Sequence, residues 1–178
     1  MPARPWARIG TRGSPLALAQ AYQVRSVLDK GEAFAAAKKI DSAVLLQTRL
    51  APDMFALTRQ VQIACDLAKN GMARLAGVEA PRYEDTETTL AQLKERIAHT
   101  IAFISTLSAS AINDSADRAV VFPMGPTRKG EMKGSDYLSS YVLPNVYFHI
   151  TTAYAILRHC GADVGKMDYL GAIPIKIS

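Results

Sequence analysis

Leu143-Pro-Asn-Val-Tyr-Phe-His-Ile-Thr-Thr-Ala-Tyr-Ala-Ile-Leu-Arg-His-Cys-Gly161 reads as an amphipathic helix that stops at a glycine. Its apolar stripe is not clean. At about 100° per residue, Leu138, Val142, Asn145, His149, Thr152 and Ile156 share one narrow sector. Burying an amide and an imidazole without partners costs about 1–3 kcal/mol per group, so each needs a bond or a ligand. This segment is therefore the first place to look for a site.

Outward from it, the chain reads as helices. Pro15 or Leu16 to about Lys39 is rich in good helix formers, with Ser14-Pro15 as N-cap and first-turn proline and Gly31 as a point of bending or interruption. Asp41 or Ser42 caps a short helix through Leu46. Pro52-Asp53 opens a long helix to about Leu75, with Leu57, Val61, Ala64, Ala68, Met72 and Leu75 at helical spacing and Gly77 as its stop. Asp85 begins the next helix, its acidic first turn (Asp85, Glu87) matching the helix dipole, and Leu90, Leu93, Ile97, Ile101 and Ile104 form its core stripe. Ser108–Asp117 reads as a connection containing a turn of helix. Ala119–Phe122 and Gly130–Met132 pair as a short hairpin. The last helix runs from Tyr137 to Cys160, and an extended tail follows from Asp163 to Ser178. The expected fold is all-α: an up-down four-helix bundle with a long crossover and a small β-hairpin between the third and fourth helices. It occupies 1–178 as one domain, with residues 1–13 as an N-terminal extension and 163–178 as a tail.

Composition narrows the function. A length of 178 residues suits one core, and no apolar run reaches the ~20 residues of a membrane span. No apolar region follows the basic start, so a cytoplasmic location is expected. Cys65 and Cys160 stand alone, as reduced thiols do. The +5 formal charge is scattered, which argues against nucleic acid as partner. P-loop, GxSxG, GxGxxG and HExxH patterns are absent.

His149 is the candidate ligand or acid/base group. Asn145 lies one turn earlier and either orients the ring, meets a ligand or bonds structurally. Gln60 lies near the apolar arc of its helix, Cys65 lines the same cavity, and Thr152 and Tyr154 complete the pocket set. His99 and Asp66 fall on polar faces, and His159 suits a C-terminal capping role. His149 has no second histidine one turn away, so it is the only plausible metal ligand, and neither metal site nor cofactor is expected.

Two resemblances add to this. Leu50-Ala-Pro-Asp-Met-Phe55, Gln60-Val-Gln-Ile-Ala64, Ala73-Arg-Leu-Ala-Gly-Val-Glu79, Glu84-Asp-Thr-Glu87 and Leu143-Pro-Asn through Leu157-Arg-His resemble a bacterial family of unknown function in the DinB/YfiT-like four-helix-bundle superfamily, from about Leu28 to Gly171. The resemblance implies the DinB-like bundle and a homodimer. In metal-binding members of that superfamily the last helix carries histidines at i and i+4. Aligning Ile156-Leu-Arg158 and Gly161 on their ending puts His149 on the second and Asn145 on the first, and no histidine stands between Asp53 and Leu75 for the third. Separately, residues 8–24 (Arg8-Ile-Gly-Thr-Arg-Gly-Ser-Pro-Leu through Val24) resemble the start of hydroxymethylbilane synthase, where the Arg12 and Ser14 equivalents lie near substrate carboxylates. Nothing downstream matches that enzyme, so this segment is expected to serve as the bundle's first helix.

The functional expectation is a bundle that binds a small molecule around His149. The alternatives are a metal-dependent transferase or hydrolase of the DinB type, a structural homodimer and, from residues 8–24 alone, a relative of hydroxymethylbilane synthase.

Overall fold

The computed structural model describes residues 13–171, with side chains from Ala21 onward. Arg12 and Ser14, singled out above, lie outside the described side chains. Four long helices make the bundle: α1 (Gly13–Lys38), α3 (Leu57–Ala76), α4 (Leu90–Thr106) and α7 (Leu143–His159). Short helices α2 (Ser42–Gln47), α5 (Ala109–Asn113), α6 (Gly134–Asp136) and α8 (Lys166–Leu170) decorate the connections. Strands β1 (Ala119–Met124) and β2 (Arg128–Lys133) form the antiparallel hairpin between α4 and α7, in a register running from Ala119↔Lys133 to Met124↔Arg128.

Side-chain pairings give the helix directions. Gln60 meets His149 while Gly71 packs on Val142, so α3 and α7 are antiparallel. Lys94 reaches Asp29 and Glu32, while Ala21 and Val24 share a small void with Ile97 and Thr100, so α1 and α4 are antiparallel. Gly31 packs on Leu157, and Ala21 and Val24 lie by Val146 and Ile150, which makes α1 and α7 parallel. The four helices thus run up-down-down-up and not in strict alternation, because residues 78–89 return along α3 before α4 begins.

Three boundaries differ from expectation, each for a local reason. The helix predicted from Pro52 starts at Leu57, because the Met54 amide closes a turn on Ala51 and the Leu57 amide bonds the Thr48 carbonyl. The helix predicted from Asp85 starts at Leu90. Thr89 and Gln92 form a capping box there, leaving Asp85 and Glu87 in the preceding loop. The tail predicted as extended contains α8, whose start is fixed by Asp168 accepting from the Gly165 amide. The final helix is one continuous rod only in part, since Tyr137–Val142 is a π-helical turn before α7. Gly31 does not interrupt α1. A Cβ there would sit 2.8 Å from Leu157 Cδ2, so the missing side chain admits α7.

Leu28, Leu57, Val61, Met72, Leu93, Ile97, Ile104, Ile156 and Leu157 anchor one continuous core between the four helices. Gly77 ends α3 in the left-handed conformation (φ 73°), as its position in the sequence predicts. Among the described residues, no helix is long and apolar enough to cross a membrane.

Candidate functional site

Gln60 is fully buried on the first turns of α3, opposite the middle of α7. Its amide nitrogen donates to the Phe55 carbonyl at 3.0 Å, which turns its oxygen toward His149 Nδ1 at 2.7 Å. An amide oxygen only accepts, so Nδ1 carries the proton and Nε2 keeps its lone pair. Burial lowers the imidazole's proton affinity below the ordinary 6.5, and the neighbouring Arg59 charge lowers it further. At neutral pH His149 is therefore a neutral ring, clamped in one tautomer, with an acceptor nitrogen to offer. Phe148 packs edge-on against it at 5.2 Å between ring centroids.

The other candidates are placed as follows. Asn145 is half-buried, and its amide donates at 2.7 Å to the Tyr141 carbonyl of the π-helical turn instead of to His149. Thr152 is buried and returns its hydroxyl to the Phe148 carbonyl one turn back. Tyr154 faces α8, its ring packed edge-on against Tyr169 and its hydroxyl near the Val164 carbonyl. Cys65 lines a small apolar void with Thr100, Ile97, Val146 and Ile150, and burial pushes its thiol up to about 12. The structure brings together only His149 and Gln60 of the six.

A second polar cluster escaped the sequence reading. Arg96 on α4 is 3% exposed. Its guanidinium donates to the Glu84 carbonyl (3.1 Å) and Glu87 (2.9 Å), and pairs with Asp66 (3.1 Å) and Asp85 (3.0 Å). Glu87 also accepts from Gln62 at 2.8 Å, Arg59 pairs with Asp85, and buried Lys69 pairs with Asp66. Lys69 Nζ also lies 3.8 Å from the centre of the Tyr83 ring. Asp66, expected on the surface, is half-buried here. The network ties the return loop 78–89 to α3 and α4. Signals for it existed: Arg96 falls between Leu93 and Thr100 on the core stripe, and Lys69 falls between Cys65 and Met72 on theirs. His99 is exposed as expected, at 62% of its side chain.

Residues 14–170 match the family described as Domain of unknown function (DUF1993). The chain belongs to the DUF1993 family. A crystal structure of a DinB family member protein from Shewanella denitrificans is 42% identical to this DUF1993 chain, with a TM-score of 0.88 over 97% of this chain and 98% of that one. No curated protein matches. The DinB-like bundle expected from sequence is therefore the fold of this DUF1993 protein, down to the small hairpin.

The superfamily's metal chemistry needs a donor set that these residues do not fit. Asn145 and Gln60 present neutral amides, both already committed to protein partners, which leaves His149 alone. Among the described residues, no three His, Cys, Asp or Glu side chains are grouped to hold a metal.

Proposed function

We propose that this protein is a small-molecule-binding bundle whose ligand meets His149 at the α3–α7 seam, without a resident metal. The observation that carries this reading is the Gln60 clamp. One amide, fixed at its nitrogen by Phe55, orients the imidazole and spends Nδ1, so that Nε2 is presented as a neutral acceptor. Such a ring recognises an O–H or N–H donor, and it can take that proton when the ligand's chemistry demands it. The neighbouring Arg59 stabilises negative charge left on the ligand, although its guanidinium is shared with Asp85 and Gln62. Carrying the polar pair solely for stability is the structural alternative. It predicts that no ligand distinguishes wild type from His149→Leu.

A metabolite panel read by thermal shift tests the proposal. A compound that raises the Tm of wild type and fails to raise that of His149→Leu supports it, whereas equal shifts in both proteins contradict it. Metal analysis of untagged protein adds an independent arm: stoichiometric zinc, nickel or iron that is lost in His149→Ala would overturn the metal-free reading.

A further inference from the structure

A second groove, with a volume of about 230 Å³, runs along α3 from Arg59 to Arg74, where the hairpin and the π-helical turn close its far end. Arg59, Asp66, Asn70 and Arg74 of α3 line one side; Phe122 and Pro123 of the hairpin, with Tyr137 and Tyr141 of the π-helical turn, line the other. We propose that this groove binds a single-ring aromatic carboxylate, with Arg74 holding the carboxylate and Tyr141 and Pro123 packing the ring. The proposal does not depend on His149, which lies two turns further along α7.

Arg74 carries the argument. Its Nη1 donates to the Tyr137 hydroxyl at 3.1 Å, which fixes the guanidinium at the groove, yet no carboxylate lies within 4.0 Å of it among the described residues. The other half-buried or buried guanidiniums are answered: Arg59 by Asp85, and Arg96 by Glu87, Asp66 and Asp85. Asp66 reaches the same groove, but its Oδ1 is held by both Lys69 and Arg96. Glu79 lines the adjoining hollow on the far side of Arg74 without pairing to it. An oriented arginine fork with donors to spare is the usual recognition group for a carboxylate.

The aromatic wall is built, not incidental. The π-helical turn stacks Tyr137 on Tyr141, with ring centroids 5.6 Å apart and planes 15° from parallel, and Phe122 fills in at 4.7 and 4.5 Å. Asn145 donates to the Tyr141 carbonyl and holds that turn. Phe122 and Tyr137 are buried, so the half-buried Tyr141 and exposed Pro123 supply the surface a ring would cover. Size and charge then choose the ligand. The volume falls below the ~300–1,000 Å³ of drug-sized sites, which suits a single ring better than a nucleotide. The site also sits at the last turn of α3, where the helix dipole disfavours a phosphate dianion more than a monoanion.

Titration of 15N-labelled protein with benzoate, phenylacetate, benzamide and inorganic phosphate tests this, reading amide and Arg74 Nε shifts. Wild type is expected to bind both acids saturably, with shifts centred on Arg74 and Tyr141, and to bind benzamide and phosphate at least tenfold more weakly. Arg74→Met should reduce benzoate affinity at least tenfold, and Tyr137→Phe, which keeps the charge but removes its orienting bond, several-fold. His149→Leu should leave it within twofold. Undiminished benzoate binding in Arg74→Met would overturn the proposal. So would phosphate binding as tight as benzoate, or no saturable binding of either acid by folded wild type.

Discussion

Replacing Arg96 by methionine isolates what the buried guanidinium does, because methionine keeps the apolar stem and removes the charge and donors. Glu87 is the partner most affected. Its side chain is 11% exposed, and it would retain only the bond from Gln62. Leaving one member of a buried pair uncompensated costs about 3–5 kcal/mol. Asp66 and Asp85 are 33% and 40% exposed, so water answers them, and each adds less than about 1 kcal/mol. The expected loss is therefore about 3–5 kcal/mol in urea unfolding at pH 7, within the ~5–15 kcal/mol typical of a folded domain. The pH dependence follows from Glu87. Burial alone would raise its carboxyl, but hydrogen bonds from Arg96 and Gln62 outweigh that and hold it below the ordinary 4.5. The stability it contributes is thus present above pH 4.5 and lost as pH falls through its lowered folded value. The gap between wild type and Arg96→Met should narrow over that range, and Glu87→Gln added to Arg96→Met should restore at least ~1 kcal/mol. Amides of residues 84–89 should exchange faster in the variant than in wild type. A loss below about 1 kcal/mol at pH 7, or a gap that does not change on acidification, would refute the account of this network.

Other consequences are quickly checked. A Cβ at Gly134 would lie 2.1 Å from the Ser115 backbone oxygen, so Gly134→Ala is expected to cost about 3 kcal/mol and lower the Tm by about 6–12 °C. Cys65 is buried with its thiol pushed to about 12 whereas Cys160 is half-buried, so a disulfide reagent should modify Cys160 in the native protein and Cys65 only after unfolding. His149, with its lowered proton affinity, should make no pH-dependent contribution above about pH 6.5; its share of the stability is lost as pH falls from there, and Gln60→Leu should alter that slope.

The helices were legible because periodicity and stop signals survive in single sequences: Gly77 and the hairpin strands fell where the residues placed them. Boundaries set by capping were less so. Asp85 and Glu87 look like a helix's acidic first turn, yet Thr89-Leu-Ala-Gln92 is the real start, and the two acids answer an arginine that approaches from α4. The π-helical turn has one local marker, Pro144, whose missing N–H breaks the i→i−4 ladder just after the turn, and Asn145 adds a side-chain bond to the Tyr141 carbonyl. At the site, the polar residues of the α7 stripe were visible, but which of them meet was not. His149 finds Gln60 across 89 residues of sequence, while Asn145 and Thr152 satisfy themselves within their own helix. Arg96 and Lys69 were hidden by their type, since charged residues on a core stripe are credible only when their counter-ions, here Asp85 and Glu87 of a loop and Asp66 of α3, are known.

The central claim is that burial and the Arg59 charge keep His149 neutral while Gln60 fixes its tautomer, leaving Nε2 as the acceptor. A pH titration of 15N-labelled imidazoles by long-range 1H–15N correlation reads it directly. The account predicts the Nδ1–H tautomer for His149 at pH 7.5 and a titration midpoint below 6.5. An Nε2–H tautomer, or a midpoint at or above 6.5, would contradict it.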